Sequence, residues 1–101
     1  MIRYRSYSEI IAHILRASSN DGCSKTRMMY RAYLSWTQLQ KYVEILESRE
    51  MICYDGMYYH TMPNGYKFLD LYDEIQTLLG LPVDPNQWRV EKKVEPSTQE
   101  S

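Results

Sequence analysis

The chain has 101 residues, 44% of them hydrophobic and 25% charged, enough for one hydrophobic core and too few for two. Its net charge of −1 conceals a polarity: residues 1–43 hold seven basic side chains against two acidic, and the remainder holds five basic against eleven acidic. No run approaches the ~20 apolar residues that span a bilayer, MIRYRSYSEI lacks the apolar stretch of a signal peptide, and Cys23 and Cys53 form no CxxC pair, so a membrane protein, a metal site and a disulfide framework are all disfavoured.

Taken in order, Ser6-Tyr7-Ser8-Glu9 has the spacing of a capping box, and Tyr7, Ile10, Ile11, Ile14 and Leu15 follow it on one helical face to about Ser18. Asn20-Asp21-Gly22 breaks that helix with turn-forming residues, leaving Cys23 as a short extended link. Ser24 then caps a short helix in which Met28, Met29 and Ala32 look inward and Arg27 and Arg31 share an outward face. A turn at Tyr33-Leu34 leads to a longer helix opened by Ser35-Trp36-Thr37-Gln38, a second capping box. Its buried stripe is Leu39, Val43 and Leu46, and its polar face carries Thr37, Gln38, Lys41 and Glu44. Two helices joined this tightly, the second polar at its amino end, have the layout of a helix-turn-helix.

After Ser48 the period changes from 3.6 to 2. Ile52-Cys53-Tyr54 and Met57-Tyr58-Tyr59-His60 flank Asp55-Gly56, which predicts a hairpin with a two-residue turn and positive φ at both central positions. Thr61 is the expected cap of a last helix, with Pro63 in its first turn, a stripe of Phe68, Leu69, Tyr72, Ile75 and Leu79, and a stop at Gly80 before Pro82. Residues 81–101 show no periodicity and are expected to form a largely disordered tail, with Trp88 its one anchoring candidate. The fold class is therefore mainly α with a small β-hairpin (α+β), a winged helix-turn-helix over residues 1–80 with an additional C-terminal helix.

The segments EIIAHILRAS, SKTRMMYRAYLSWTQLQKYVEILESREMI and TMPNGYKFLDLY, with the Tyr-rich hairpin between the last two, resemble the archaeal ArnR-like winged helix-turn-helix domains and related small dimeric archaeal DNA-binding proteins. The resemblance covers roughly residues 6–79 and is most specific over KTR…Y…LS…Y…L, from Lys25 to Leu46. It implies a homodimer on double-stranded DNA, with a recognition helix at residues 35–48, a wing at 52–60 and a dimerisation helix at 62–79. Two departures stand out. Relatives usually carry Gly at the position of Glu50, so the recognition helix must end either with a strained left-handed residue or in another way. They also carry a charged residue at Asn64.

On that reading Lys25, Arg27, Arg31 and Lys41 face phosphates, and Thr37, Gln38 and Lys41 are placed to read base edges, Gln38 being shared with its capping role. Ser35 and Trp36 complete the expected DNA-binding set. The Trp36 indole lies either along the sugar–phosphate backbone or in the gap beside Tyr33 or Tyr4. Phe68, Leu69, Tyr72, Ile75 and Leu79 form the expected dimer interface or, alternatively, close the domain's own core. The location expected is cytoplasmic, on the nucleoid, and no cofactor, metal or small-molecule ligand is evident.

His13 and His60 have no Cys, Ser or carboxylate at a catalytic spacing, and no Gly-rich phosphate loop is present, so an enzyme is not expected. The rival reading is a winged helix that binds protein instead of DNA, for which Trp36 is the one apolar residue on the recognition face. A third is redox control of DNA binding through Cys23 or Cys53.

Overall fold

The computed structural model describes residues 6–80; the tail at 81–101, with Trp88, lies outside the described residues. Helix α1 (Tyr7–Ala17) is followed by α2 (Lys25–Ala32), α3 (Trp36–Ser48), strands β1 (Ile52–Tyr54) and β2 (Tyr59–Thr61), and α4 (Pro63–Leu78). The helix starts are chemical. Ser6 Oγ accepts from the Glu9 N–H at 3.1 Å, and Ser24 Oγ from the Arg27 N–H at 3.1 Å. At α3 both halves of the capping box form: Ser35 Oγ accepts from the Gln38 N–H at 3.2 Å, and Gln38 Oε1 from the Ser35 N–H at 2.9 Å.

Residues 6–70 form one compact unit. Its core is Ala12, Ile14 and Leu15 from α1, Met28 and Ala32 from α2, Leu39, Val43 and Leu46 from α3, Ile52 and Tyr59 from the hairpin, and Leu69. Fully burying a Leu or Ile side chain stabilises by roughly 1.5–3 kcal/mol. A pair of three-residue strands has no such reserve of its own and must dock on the helices.

That docking uses two sets of bonds. Cys23 forms an isolated antiparallel bridge with Tyr59, its N–H donating to the Tyr59 carbonyl at 3.0 Å and its carbonyl accepting from the Tyr59 N–H at 2.8 Å. The extended link expected at Cys23 is thus a third, one-residue strand of the sheet. Next to it, the Thr61 N–H donates to the Ser18 carbonyl at 2.9 Å and the Thr61 hydroxyl to the Leu15 carbonyl at 2.7 Å. The buried hydroxyls of Ser18 and Thr61 lie 2.8 Å apart and share a hydrogen bond, and Ser18 Oγ also reaches the Ile14 carbonyl at 3.1 Å.

Thr61 therefore does not cap α4. Its hydroxyl is committed to the end of α1, and α4 opens one residue later, with the Tyr66 N–H bonding the Met62 carbonyl at 3.0 Å. The hairpin differs from expectation as well. Tyr54 pairs with Tyr59, so the loop is the four residues Asp55-Gly56-Met57-Tyr58, and only Gly56 has positive φ (99°). The Asp55 carboxylate closes the loop by accepting from the N–H groups of Met57 and Tyr58, both at 2.8 Å, a task that a two-residue turn leaves to backbone conformation.

Helix α3 ends at Glu50, whose φ of 60° is left-handed, with Met51 N–H bonded to Leu46 O at 2.9 Å and Glu50 N–H to Glu47 O at 3.1 Å, a Schellman motif built without glycine. The Asn64 carboxamide donates to the Arg49 carbonyl at 3.3 Å, so Asn64 supports the helix end that Glu50 closes. Tyr33, at φ 57°, ends α2 in the same way, with Leu34 N–H bonded to Met29 O at 3.1 Å.

The second unit begins at Leu71, and its described residues are 71–80. They complete α4, where the Thr77 hydroxyl donates to the Asp73 carbonyl at 2.9 Å and the Gly80 N–H to Thr77 O at 3.1 Å.

Gly65 lies within α4, where alanine is the better helix former by about 1 kcal/mol. A Cβ there would stand 2.6 Å from the Met51 carbonyl oxygen and 2.7 Å from a Thr61 methyl. Close approach to a backbone oxygen outweighs the propensity gain, so Gly65→Ala is expected to destabilise the domain by about 1–3 kcal/mol in urea unfolding. A more stable variant would show that the chain relaxes around this point.

Candidate nucleic-acid interface

The amino-terminal half of α3 is the exposed polar surface of the helix-turn-helix. Its apolar stripe of Leu39, Val43 and Leu46 is fully buried, which turns Ser35, Thr37, Gln38 and Lys41 to solvent. Trp36 is 50% exposed. The carboxyl-terminal half carries Glu44 and Glu47, both exposed, and an exposed Ile45. A polyanion is therefore favoured at the start of the helix and repelled at its end.

Four of the expected site residues, Lys25, Ser35, Trp36 and Gln38, are partly engaged within the fold. Lys25 Nζ donates to Gln40 Oε1 at 2.5 Å and sits 5.0 Å from the Trp36 ring centroid and 6.0 Å from that of Tyr59. The lysine thus joins α2, α3 and β2, and its cation holds the indole by cation–π attraction. Trp36 rests on Lys25 with half its surface free, and Tyr4, one of its expected neighbours, lies outside the described residues. Gln38 spends its carboxamide oxygen on Ser35 and presents its NH₂ group outward. Gln40 is a positioning residue that the sequence pattern did not single out; it lies 15 residues from its partner, and no local spacing links them.

Arg27 and Arg31 lie elsewhere. At 100° per residue they leave α2 on the opposite flank of its buried stripe from Lys25. They line an open cleft of about 510 Å³ with Arg16 and Asp21 from the end of α1 and the turn after it, Cys23, and Tyr58 of the hairpin loop. No residue of α3 is among those lining it. Burial raises the pKa of the Cys23 thiol, and the charges of Arg31 and then Arg27 offset part of that rise. Cys53 is exposed on β1.

In the hairpin, the Tyr54 and Tyr59 rings lie 4.7 Å apart and 34° from parallel, the cross-strand pairing expected of sheet aromatics, and the Tyr54 hydroxyl donates to the Gly56 carbonyl at 3.1 Å. The Tyr59 hydroxyl is raised in pKa, first by burial and then by the Glu47 carboxylate. The loop tip has no cation, and its one charge, Asp55, is bonded inward.

Of the expected dimer residues, Leu69 is 4% exposed and belongs to the core of its own domain, so it cannot face a partner. Phe68 and Tyr72 are half-buried, whereas Ile75 and Leu79 are 53% and 65% exposed. Leu71 and Leu78 are also exposed and were outside the expected set. Among the described residues no three His, Cys, Asp or Glu side chains gather as metal ligands, and no helix is long and apolar enough to cross a membrane.

Two tightly linked helices, a polar helix start facing solvent and a hairpin docked at one side define a helix-turn-helix with a β wing. A winged helix-turn-helix family model matches residues 4–80, and the chain belongs to that family. It is also similar to an uncharacterised protein of the archaeon Methanocaldococcus jannaschii, 33% identical over 70 residues, which are 69% of this chain and 33% of that protein. The chain thus corresponds to about a third of the length of that relative.

The Asp55 carboxyl is held down to about 2, from an ordinary 3.8, by the Tyr58 N–H, the Met57 N–H and then His60, whose Nε2 is 2.7 Å from the second carboxylate oxygen. A folded-state value below the unfolded one means that the loop's contribution is complete above about pH 4 and is lost as pH falls toward 2. In an NMR titration the Asp55 carboxyl carbon should move with a midpoint near 2. A midpoint near 3.8 would mean that the closed loop does not persist in solution.

Proposed function

We propose that the protein binds double-stranded DNA, inserting the amino-terminal half of α3 into the major groove, as a homodimeric transcriptional regulator or nucleoid-associated protein of the ArnR-like type. The observation that carries this reading is the exposed set Thr37, Gln38 and Lys41 on a helix start fixed by a complete capping box. Membership of the winged helix-turn-helix family supports it. Base reading then falls to three groups. The Thr37 methyl suits thymine, Lys41 suits guanine, and Gln38, with its oxygen committed to Ser35, offers a donor to guanine O6 or thymine O4 instead of the paired donor and acceptor that adenine requires. Trp36, steadied by Lys25, lies at the edge of this surface for contact with the sugar–phosphate backbone. The acidic wing tip adds little, so affinity rests on α3 and the cations near it.

Dimerisation is assigned to the far part of α4 and the residue after it, where Leu71, Ile75, Leu78 and Leu79 are exposed over about two turns. A two-fold pair can present two recognition helices to successive major grooves if they stand about 34 Å apart.

Fluorescence anisotropy of a labelled duplex at several salt concentrations tests the DNA reading. Binding should weaken steeply with salt, and Lys41→Ala should lower the slope of log K against log salt by about one unit. Absence of binding even at low salt would leave a protein partner for the Trp36 face as the better account.

Sedimentation equilibrium tests the dimer. The wild type should exceed the 12.1 kDa of one chain, and an Ile75→Glu, Leu79→Glu variant, altered at two exposed positions, should return to it with the fold intact. A wild type that stays monomeric at tens of micromolar, roughly the range of a weak specific dimer, would remove the dimer from the proposal.

A further inference from the structure

The cleft between the end of α1, the exposed flank of α2 and the hairpin loop has no part in the proposed DNA contact. We infer that it is a binding site for a small diphosphate-bearing metabolite, gripped by Arg27 and Arg31.

Its volume, about 510 Å³, is that of a small-molecule site and far exceeds the space of a single ion. Arg16, Arg27 and Arg31 line it together with the carboxylate of Asp21, so cations outnumber carboxylates among its lining residues. Among the described residues no carboxylate forms an ion pair with Arg27 or Arg31, so their guanidinium groups face the cleft unneutralised. They stand one helical turn apart, roughly 6 Å between Cβ atoms, a spacing that brackets two adjoining phosphates and lets each fork donate in pairs. The cleft also runs along the amino-terminal end of α2, at Ser24 and Arg27, where the helix dipole adds to the same sign of potential.

The occupant is a small molecule and not the duplex, because of direction. Lys25, on the other flank of α2, reaches α3 through Gln40 and Trp36, whereas the cleft is lined by no residue of α3. A duplex lying on Thr37 and Lys41 meets the Lys25 flank. The cleft wall is also tied to the sheet through Cys23, whose bridge to Tyr59 connects it to the wing. An anion closing on Arg27 and Arg31 therefore acts on the two elements, α2 and the hairpin, that support α3.

Isothermal titration calorimetry with inorganic pyrophosphate as the probe tests this on the full chain. Saturable binding with one site per chain is expected. The variant Arg27→Ala, Arg31→Ala, altered at two exposed positions, should weaken it roughly tenfold or more, and Arg27→Lys, Arg31→Lys should recover part of the loss because the charge returns without the fork. Lys41→Ala should leave pyrophosphate binding unchanged while weakening duplex DNA binding, which separates failure of this site from failure of the DNA reading. The inference is overturned if the wild type shows no saturable binding. It is equally overturned if the double alanine variant, still folded by circular dichroism, binds pyrophosphate as well as the wild type, or if Lys41→Ala abolishes pyrophosphate binding.

Discussion

The arrangement depends on the hydrogen bonds that tie the return strand of the hairpin to the end of α1. Ser18 and Thr61 are both buried, and each would be costly there without a partner, of order 1–3 kcal/mol for an unsatisfied group. They satisfy each other and the Leu15 carbonyl, and the backbone bond from Thr61 to Ser18 fixes where β2 begins its exit into α4. Gly65 then lets α4 pass over this junction with only 2.6 Å between a would-be Cβ and the Met51 oxygen. The wing, the start of α4 and the end of α1 are located by one small polar knot, and Cys23 extends it toward α2.

From that junction the recognition surface follows. The hairpin holds Tyr59 at the boundary of α2 and α3, and Lys25 fills the corner between Tyr59, Trp36 and Gln40. A lysine that appears in the sequence as a phosphate ligand is in the fold bonded to Gln40 and set against the Trp36 ring at the first turn of α3. This changes its functional meaning, since its loss would displace Trp36 as well as remove a charge. It also leaves Lys41 as the cation on the exposed face of α3 and places Arg27 and Arg31 in separate surroundings.

Much of the fold was legible because its signals are local. Ser6, Ser24 and Ser35 each stand three residues before the backbone N–H they receive, and the buried positions of α3 fall on its apolar period. The misses arise where a side chain takes a partner that the helix or turn pattern does not specify. Thr61 has the type and place of a cap, yet its hydroxyl bonds Leu15, 46 residues away. Asp55-Gly56 has the sequence of a two-residue turn, but the Asp55 carboxylate also has His60 as a partner, and the loop opens to four residues around it. Leu69 and Ile75 share one stripe in sequence, while in the structure one is core and the other is exposed. The arginine cleft was illegible for the same reason: Arg16 and Tyr58 meet only through tertiary contact, and periodicity on α2 shows two outward cations without the concavity in front of them.

The central claim is that α3, by its amino-terminal half, meets DNA. A two-dimensional NMR titration of isotope-labelled protein with a short duplex examines that claim residue by residue. The largest shifts are expected at Trp36, Thr37, Gln38 and Lys41, including the Trp36 indole and the Gln38 side-chain amide, with little change at Arg27 and Arg31. Shifts concentrated on Arg16, Arg27, Arg31 and Tyr58, with α3 unmoved, would contradict the account and make the cleft the nucleic-acid surface.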